Sequence, residues 1–293
     1  MNESAFEEFE AHRGRLFGIA YRMFGTVSEA EDVVQEAWLR WQGADRDAVL
    51  DPAAYLATIA TRLSIAELTS ARARARRETY VGPWLPEPVD TSKDPLLGAE
   101  RAEALSMAVL VLLEKLTPNE RAAFVLHEAF AYPHSLIAEM LEVSEENARQ
   151  LFSRARKSLA SDRVRPVTTA ERDRLLGAFL AAAQNGSLEE LESILAADVV
   201  TISDGGGFVT AARKHVVGPE RVAIFMLGVR EKFGHGIRPV YVTVNGGPGW
   251  LAVRDGVPIA LWTVQASADG VRRVFMMLNP HKLSRFEELA SLS

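Results

Sequence analysis

Cysteine is absent from all 293 residues. Disulfides and thiolate-ligated metal are thereby excluded, and a reducing cytoplasm is the expected home. No apolar run approaches the roughly 18 residues that a membrane helix needs. The first segment, MNESAFEEFEAHRGR, is acidic and has no apolar stretch, so no signal peptide is expected. An overall basic balance is missing too: the net charge is −6, which taken alone argues against a nucleic-acid partner. No internal repeat is apparent, and neither a metal nor a cofactor is expected. What is present is ordinary for soluble globular protein, with 48% hydrophobic and 25% charged residues, and a length sufficient for two or three domains.

The charge is unevenly spread. Residues 62–77 carry five arginines against one glutamate, and residues 144–165 carry six cations against three carboxylates. Two basic segments in an acidic chain suggest two phosphate contacts. Solvated helix ends, where cations suit the dipole, would give the same pattern.

Residues 5–78 read as all helix. Ser28-Glu29-Ala30-Glu31 reads as a capping box, and Asp51-Pro52 as a cap with proline in the first turn. Pro83, Pro86, Pro88 and Pro95 mark a linker over 81–95. A helical pattern resumes over 96–116. Thr117-Pro118-Asn119-Glu120 starts a further helix, Ser135–Leu141 forms another, and Ser144 caps one that runs to about Leu159. From Thr169 the character changes. A helix ends at Asn185-Gly186, Ser187 caps a short second one, and a strand over Val199–Ser203 leads into Asp204-Gly205-Gly206-Gly207. A helix over 219–233 precedes strands at 239–244, 250–254, 257–266 and 271–278. Asn245-Gly246-Gly247, Asp255-Gly256 and Asp269-Gly270 are hairpin signals between them. This order suits an α+β domain whose curved antiparallel sheet wraps around helices.

Within AEDVVQEAWLRW, Val33, Val34, Ala37, Trp38 and Trp41 share one helical arc, while Asp32, Gln35 and Glu36 lie opposite. Such a face fits a basic partner, or is simply solvated. The wording GTVSEAEDVVQEAWLRW resembles the polymerase-binding helix of sigma factor region 2. The resemblance implies that Asp32, Gln35 and Glu36 dock on core RNA polymerase. The next stretch, DPAAYLATIATRLSIAELTSARARARRE, resembles the part of region 2 that reads and opens the downstream promoter element. It implies DNA contacts by Tyr55, Arg62, Arg72, Arg74, Arg76 and Arg77, since opened strands need stacking surfaces beside cations. Ala66 and Thr69 stand where that family commonly has Asp and Arg.

LTPNERAAFVLHEAFAYPHSLIAEMLEVSEENARQLFSRARKSL resembles sigma region 4, with a helix-turn-helix at its centre. Ala148, Leu151, Phe152 and Ala155 line the buried face of the expected recognition helix. Asn147, Arg149, Gln150, Ser153, Arg154 and Lys157 are left to meet DNA. Glu142 occupies the turn where glycine is common.

The linker wording YVGPWLPEPV, Tyr80–Val89, resembles the sigma-J-type subgroup of extracytoplasmic-function (ECF) sigma factors. Members lack the usual separate anti-sigma partner and carry a C-terminal SnoaL-like (NTF2-like) domain. DGGG at 204–207 and NPHKL at 279–283 match that subgroup. Members often have a basic residue after DGGG and Asp at the position of His281; here these are Phe208 and His281. The resemblance implies two all-α sigma modules, region 2 over 1–80 and region 4 over 99–165. A Pro-rich linker over 81–98 joins them, and an α+β cone follows over 169–293. Its partners are core RNA polymerase and promoter DNA, with no membrane, and the C-terminal domain acts as an intramolecular regulator. The regulatory contact is expected between Trp84, Leu85, Pro86, Glu87 and Pro88 of the linker and Asp204, Gly205, Gly206, Gly207, Asn279, Pro280, Lys282 and Leu283, because apolar linker residues need a surface to cover them.

Related cones include polyketide cyclases and isomerases that use a buried Asp or His. Asp204, His215, His235 and His281 are the candidates for such chemistry. Their spacing demands none, and DGGG lacks the Lys-Ser/Thr and helix of a phosphate loop. An NTF2-like enzyme with a helical arm, and a ligand-sensing helix-turn-helix regulator, stand as the alternatives.

Overall fold

A computed structural model describes residues 3–92, 105–160 and 167–291. They form two compact units: 3–79 with 105–160, and 80–92 with 167–291.

The first unit is helical. Helix α1 (Glu3–Phe24) is closed by Gly25, whose φ of +72° lets the chain turn at once into α2 (Val27–Gln42). The N-cap of α2 is therefore Thr26, not Ser28 as the sequence suggested; the Thr26 hydroxyl lies 2.5 Å from the Glu29 carboxylate. Helix α3 (Pro52–Thr69) begins as expected, with Asp51 accepting the Ala54 N–H at 3.0 Å, and α4 (Ala71–Thr79) follows. The helical pattern read over 96–116 is seen as α5 (Met107–Leu113), and its 96–104 part lies outside the described residues, as do Arg163 and Arg165. Thr117 and Glu120 form the expected reciprocal capping box at the start of α6 (Pro118–Glu128). Then come α7 (His134–Leu141) and α8 (Glu145–Ala160), with the Ser144 hydroxyl accepting the Asn147 N–H.

The turn between α7 and α8 shows why glycine is common there. Glu142 sits at φ +55° and ψ +45°, the left-handed conformation that closes a helix. One apolar cluster spans this unit: Ile19 of α1 and Ala57 of α3 share a core with Leu126, Ile137, Met140 and Leu151.

The second unit is α+β. Gly186, at φ +76°, ends α9 (Thr169–Asn185), and Ser187 caps α10 (Leu188–Ile194). Strand β1 (Leu195–Asp204), β2 (Val216–Val217) and α11 (Pro219–Phe233) precede a meander of β3 (Arg238–Val244), β4 (Gly247–Arg254), β5 (Val257–Ser267) and β6 (Gly270–Met277). The sheet order is β2-β1-β6-β5-β4-β3. It is mixed, not wholly antiparallel: β1 runs parallel to β6. Hairpins enforce antiparallel neighbours only between consecutive strands, and β1 meets β6 across the whole length of the meander.

Both faces of the sheet are covered. Trp250, Ala252, Ala260, Trp262 and Met276 face Phe179 of α9, Leu191 of α10 and Met226 of α11. The alternate residues Leu251, Leu261, Phe275 and Met277 are also buried, and α12 (Pro280–Leu283) and α13 (Glu287–Ser291) pack against β5. The NPHKL segment thus forms a short helix capped by Asn279.

Two glycines of the hairpins carry different constraints. Gly270 has φ +112°, and a Cβ there would collide with the Ile194 carbonyl, whereas a Cβ at Gly256 (φ +75°) meets open space. Gly270→Ala is expected to cost roughly 1–3 kcal/mol more than Gly256→Ala, which bears only the backbone term. Denaturant unfolding of the two variants checks this, and equal midpoints would contradict it.

Candidate functional site

On α2 the apolar arc is buried as the spacing required: Val33, Val34, Ala37 and Trp41 are covered, and Trp38 packs against Phe6 and Phe9 with centroids 5.8 and 5.0 Å away. Asp32 and Gln35 are exposed on the opposite side, and Glu36 is half-buried, accepting from Arg40 Nε at 3.0 Å. The three side chains project from one rigid helix whose back is fixed in a core.

The expected DNA-facing cations of α3 and α4 have intrachain partners. Arg62 donates to the Met140 and Glu139 carbonyls, each at 2.9 Å, and pairs with the Glu142 carboxylate at 2.8 Å. It thereby caps the C-terminus of α7, where free carbonyls and the helix dipole attract a cation. Arg76 lies between Glu29 (2.7 Å) and Glu67 (3.0 Å), and Arg77 faces Glu114 at 3.5 Å. Glu114 also receives the buried Arg121 at 2.6 Å; burial lowers the Arg121 pKa and the Glu114 carboxylate opposes that shift. Tyr55 is 38% exposed with its ring 5.9 Å from that of Trp41, so one edge is open. The side chains of Arg72 and Arg74 lie outside the described residues.

On α8, Ala148, Leu151, Ala155 and Leu159 are buried, and Phe152 is half-buried against Phe124, His127 and His134. Arg149, Gln150, Ser153, Arg154 and Lys157 are exposed, and Asn147 is half-buried. Arg149 pairs with Glu145 one turn earlier, and Arg154 lies 3.4 Å from Glu120. An exposed pair one turn apart, such as Arg149–Glu145, contributes little to stability.

The linker residues lie in a cradle of the α+β unit. Leu85 is fully buried, Pro86 and Pro88 are buried, and Trp84 and Glu87 are half-buried. The centre of the cradle is Asp204, at 0% exposure. Its Oδ1 accepts from the Tyr80 hydroxyl (2.5 Å) and the Gly206 N–H (3.0 Å), and its Oδ2 accepts from the Leu85 N–H (2.9 Å) and Lys282 Nζ (2.8 Å). All four lone-pair positions of the carboxylate are thus used. Lys282 Nζ also donates to the Leu85 carbonyl at 2.5 Å, and it sits 4.6 Å from the Trp84 ring centroid and 5.0 Å from that of Tyr80. The exposed-looking Trp84 is thus one wall of a cation site. Burial first, then the Asp204 carboxylate, pushes the Tyr80 phenol well above its ordinary pKa, so it stays a donor.

Each remaining residue of the two motifs has a place. A Cβ on Gly206 would strike the Asn279 side chain, and one on Gly207 would lie 3.1 Å from Val81, so the glycines permit the approach of the linker. Gly205 is equally confined, with Val209 O at 2.7 Å from its would-be Cβ. Asn279 accepts the His281 N–H at 3.1 Å and donates to the Tyr80 hydroxyl at 3.2 Å. Leu283 is buried and Pro280 is exposed. Phe208 and His281, the two departures from the subgroup pattern, meet each other edge to face at 4.4 Å. An aromatic contact thus stands where opposite charges are common.

Sequence reasoning missed a second anchor. Asn245 N donates to Val89 O at 3.0 Å, Val89 N to Asn245 Oδ1 at 3.2 Å, and Thr91 N to Thr243 O at 3.0 Å. Asn245 had shown only a hairpin signal, which its φ of +52° justifies. The partners Tyr80 and Arg285 (3.2 Å from Glu87) also carried no individual signal.

Removing one partner of a buried ion pair leaves the other charge uncompensated. Lys282→Met is therefore expected to destabilise the α+β unit by about 3–5 kcal/mol. Lys282→Arg is expected to lose part of that, since a planar fork replaces a point donor. Denaturant unfolding monitored by circular dichroism tests both, and a neutral Lys282→Met would contradict the assignment.

The family model described as Sigma-70 region 2 matches residues 9–74, and that described as Sigma-70, region 4 matches residues 106–159. The ECF RNA polymerase sigma factor SigJ of Mycobacterium tuberculosis is 39% identical over 284 residues, covering 88% of this chain and 90% of its own length. The probable ECF RNA polymerase sigma factor SigI of the same organism is 30% identical, with 94% of this chain and 93% of its own covered. The crystal structure of M. tuberculosis SigJ is similar with a TM-score of 0.78 at 36% identity, over 95% of this chain and 98% of that one. The fold is therefore two helical sigma modules followed by an α+β SnoaL-like cone. With both modules in order and relatives matched along most of their length, the chain belongs to the extracytoplasmic-function family of RNA polymerase sigma factors, which direct transcription initiation.

Proposed function

We propose that the C-terminal cone regulates this sigma factor from within the chain, in place of a separate anti-sigma partner, by holding the segment that joins its two DNA-reading modules. The observation that carries this reading is the burial of Leu85 under the Asp204–Lys282 pair. A tethered contact of this kind is always at high local concentration. The modules are assigned as region 2 over 1–80, a linker over 81–98, region 4 over 99–165 and the regulatory cone over 169–293.

Within the helical modules, Asp32, Gln35 and Glu36 are assigned to core polymerase. Tyr55, Arg62, Arg72, Arg74, Arg76 and Arg77 are assigned to the downstream element, and Asn147, Arg149, Gln150, Ser153, Arg154 and Lys157 to the upstream one. Arg62, Arg76 and Arg77 are held by carbonyls and carboxylates of the same unit. Promoter engagement then exchanges those partners for phosphate, which makes binding depend on release of the cations as well as on contact.

The cone is read as a binding and control domain, not an enzyme, acting in the cytoplasm with polymerase. Its candidate acid–base groups do not converge: Asp204 is saturated by four donors, His281 contacts Phe208, and His215 and His235 are exposed. No described helix is long and apolar enough to cross a membrane.

Two measurements test these readings. Asp32→Lys is expected to weaken capture by core polymerase at least several-fold while helical content stays unchanged, and undiminished capture would refute the assigned face. Transcription from one promoter at equal protein levels is expected to differ several-fold between the full chain and a Tyr80→Phe, Trp84→Ala variant, and again for a chain truncated near Val167. Identical activity from all three would leave the cone without a regulatory role and would revive the enzyme reading.

A further inference from the structure

The helix-turn-helix holds an aromatic junction behind its exposed residues. The His127 ring of α6 and the His134 ring of α7 stack with centroids 4.5 Å apart and planes 15° from parallel. Phe152 of α8 closes the group, 4.5 Å from His127 at 69° and 5.4 Å from His134 at 54°. All three side chains are half-buried. Three helices therefore meet at these rings, and the placement of α8 depends on how Phe152 is seated.

The two imidazoles differ in what a proton costs them. His127 Nδ1 lies 3.0 Å from the Tyr132 carbonyl oxygen. A carbonyl only accepts, so this nitrogen carries a proton whichever charge the ring has. His134 Nδ1 is buried with no hydrogen-bond partner among the described residues. A neutral ring can leave a bare lone pair there, but an imidazolium has an N–H on both nitrogens, and this one would have no acceptor. Position adds a second cost. His134 opens α7, where the positive end of the helix dipole disfavours a further positive charge. Burial first, then His127 across the stack and Arg149 of α8, hold the His134 pKa below the usual histidine value. Glu145 of α8 acts the other way, and it is already paired with Arg149. On the side of α1, Arg15 reaches the Tyr132 hydroxyl at 3.5 Å. Because the folded ring is harder to protonate than the unfolded one, its contribution to stability is full above about pH 6.5 and is lost as the pH falls through the lower, folded value.

We propose that His134 is a positioning residue for promoter recognition: as a neutral imidazole it fixes α8 through Phe152, and its protonation releases that helix, so that binding of the upstream element weakens in mild acid. The effect on DNA rests on the assignment of α8 to the upstream element made above, whereas the effect on stability does not.

The test compares the full chain with His134→Phe, which keeps a ring in the stack and takes no proton, at about pH 7.5 and about pH 5.5. Denaturant midpoints followed by circular dichroism are expected to fall further in acid for the unaltered chain than for the variant, the other histidines being common to both. Holoenzyme binding to a fluorescent promoter duplex, selected by the unaltered holoenzyme from a randomised library, is expected to weaken several-fold more in acid for the unaltered chain. Arg154→Ala, which leaves the three rings in place, is expected to weaken binding at both pH values. No effect of Arg154→Ala would show that α8 does not meet DNA, and the proposal would fall with that assignment. Should His134→Phe fail to fold, His134→Gln, uncharged and of similar reach, takes its place. With Arg154→Ala acting as expected, equal acid responses of the unaltered chain and the His134 variant, in midpoint or in binding, overturn the role of His134 alone.

Discussion

A fully buried carboxylate organises the C-terminal half of this molecule. Asp204 ends β1, the strand between the two-residue β2 and β6, and the Leu278 N–H donates to its backbone carbonyl at 2.8 Å. A charge so placed is unfavourable unless every lone pair is satisfied. Two of its four donors, the Tyr80 hydroxyl and the Leu85 N–H, come from the Tyr80–Val89 stretch that opens the linker. The linker is therefore part of what makes the cone's own core tolerable, and not a ligand laid on a finished surface. That dependence explains why Asp204, the three glycines and Lys282 form one apparatus although 78 residues separate the two charged ends.

The helical unit uses its charges differently. Its ion pairs are mostly half-exposed, as at Arg76 and Arg77, where side-chain exposures are 46% and 51%. Such pairs hold cations in reserve at small energetic cost. Arg62 is the exception in kind: it reaches from α3 to the carbonyl end of α7, so a residue assigned to DNA also stabilises the first helix of the helix-turn-helix. Sealing beneath these contacts comes from the apolar cluster that includes Ile19, Ala57, Ile137 and Leu151. The cations make half-exposed contacts, and the aliphatic residues provide cohesion.

The sheet of the cone divides its labour by face. One face, with Trp250, Trp262 and the small pair Ala252–Ala260, packs on helices and leaves a cavity. On the other, α12 and α13 pack beside β5 and bring Lys282 to Asp204. Strands buried on both sides explain the near-continuous apolar runs of β4 and β5, which blur the alternation by which a half-exposed strand is recognised.

Local chemistry was legible along the chain by itself. The caps at Asp51, Thr117, Ser144 and Ser187 and the glycine stop at Gly186 act within one turn, so their residues carry the signal directly. The buried arc of α2 was readable for the same reason, as was the helix-turn-helix. The start of α2 was misplaced because Gly25 already allows the turn, leaving Ser28 inside the helix. The pairing of Arg62 with α7, the parallel register of β1 on β6, the four donors on Asp204 and the anchor at Asn245 were decided only by tertiary structure. Apart from the neighbouring Gly206 N–H on Asp204, these contacts join residues between 73 and 156 positions apart, and no local pattern encodes which distant carbonyl, strand or hydroxyl will arrive. Turn and cap energies depend on neighbours in sequence; the partners of a buried charge depend on which surfaces the core brings together.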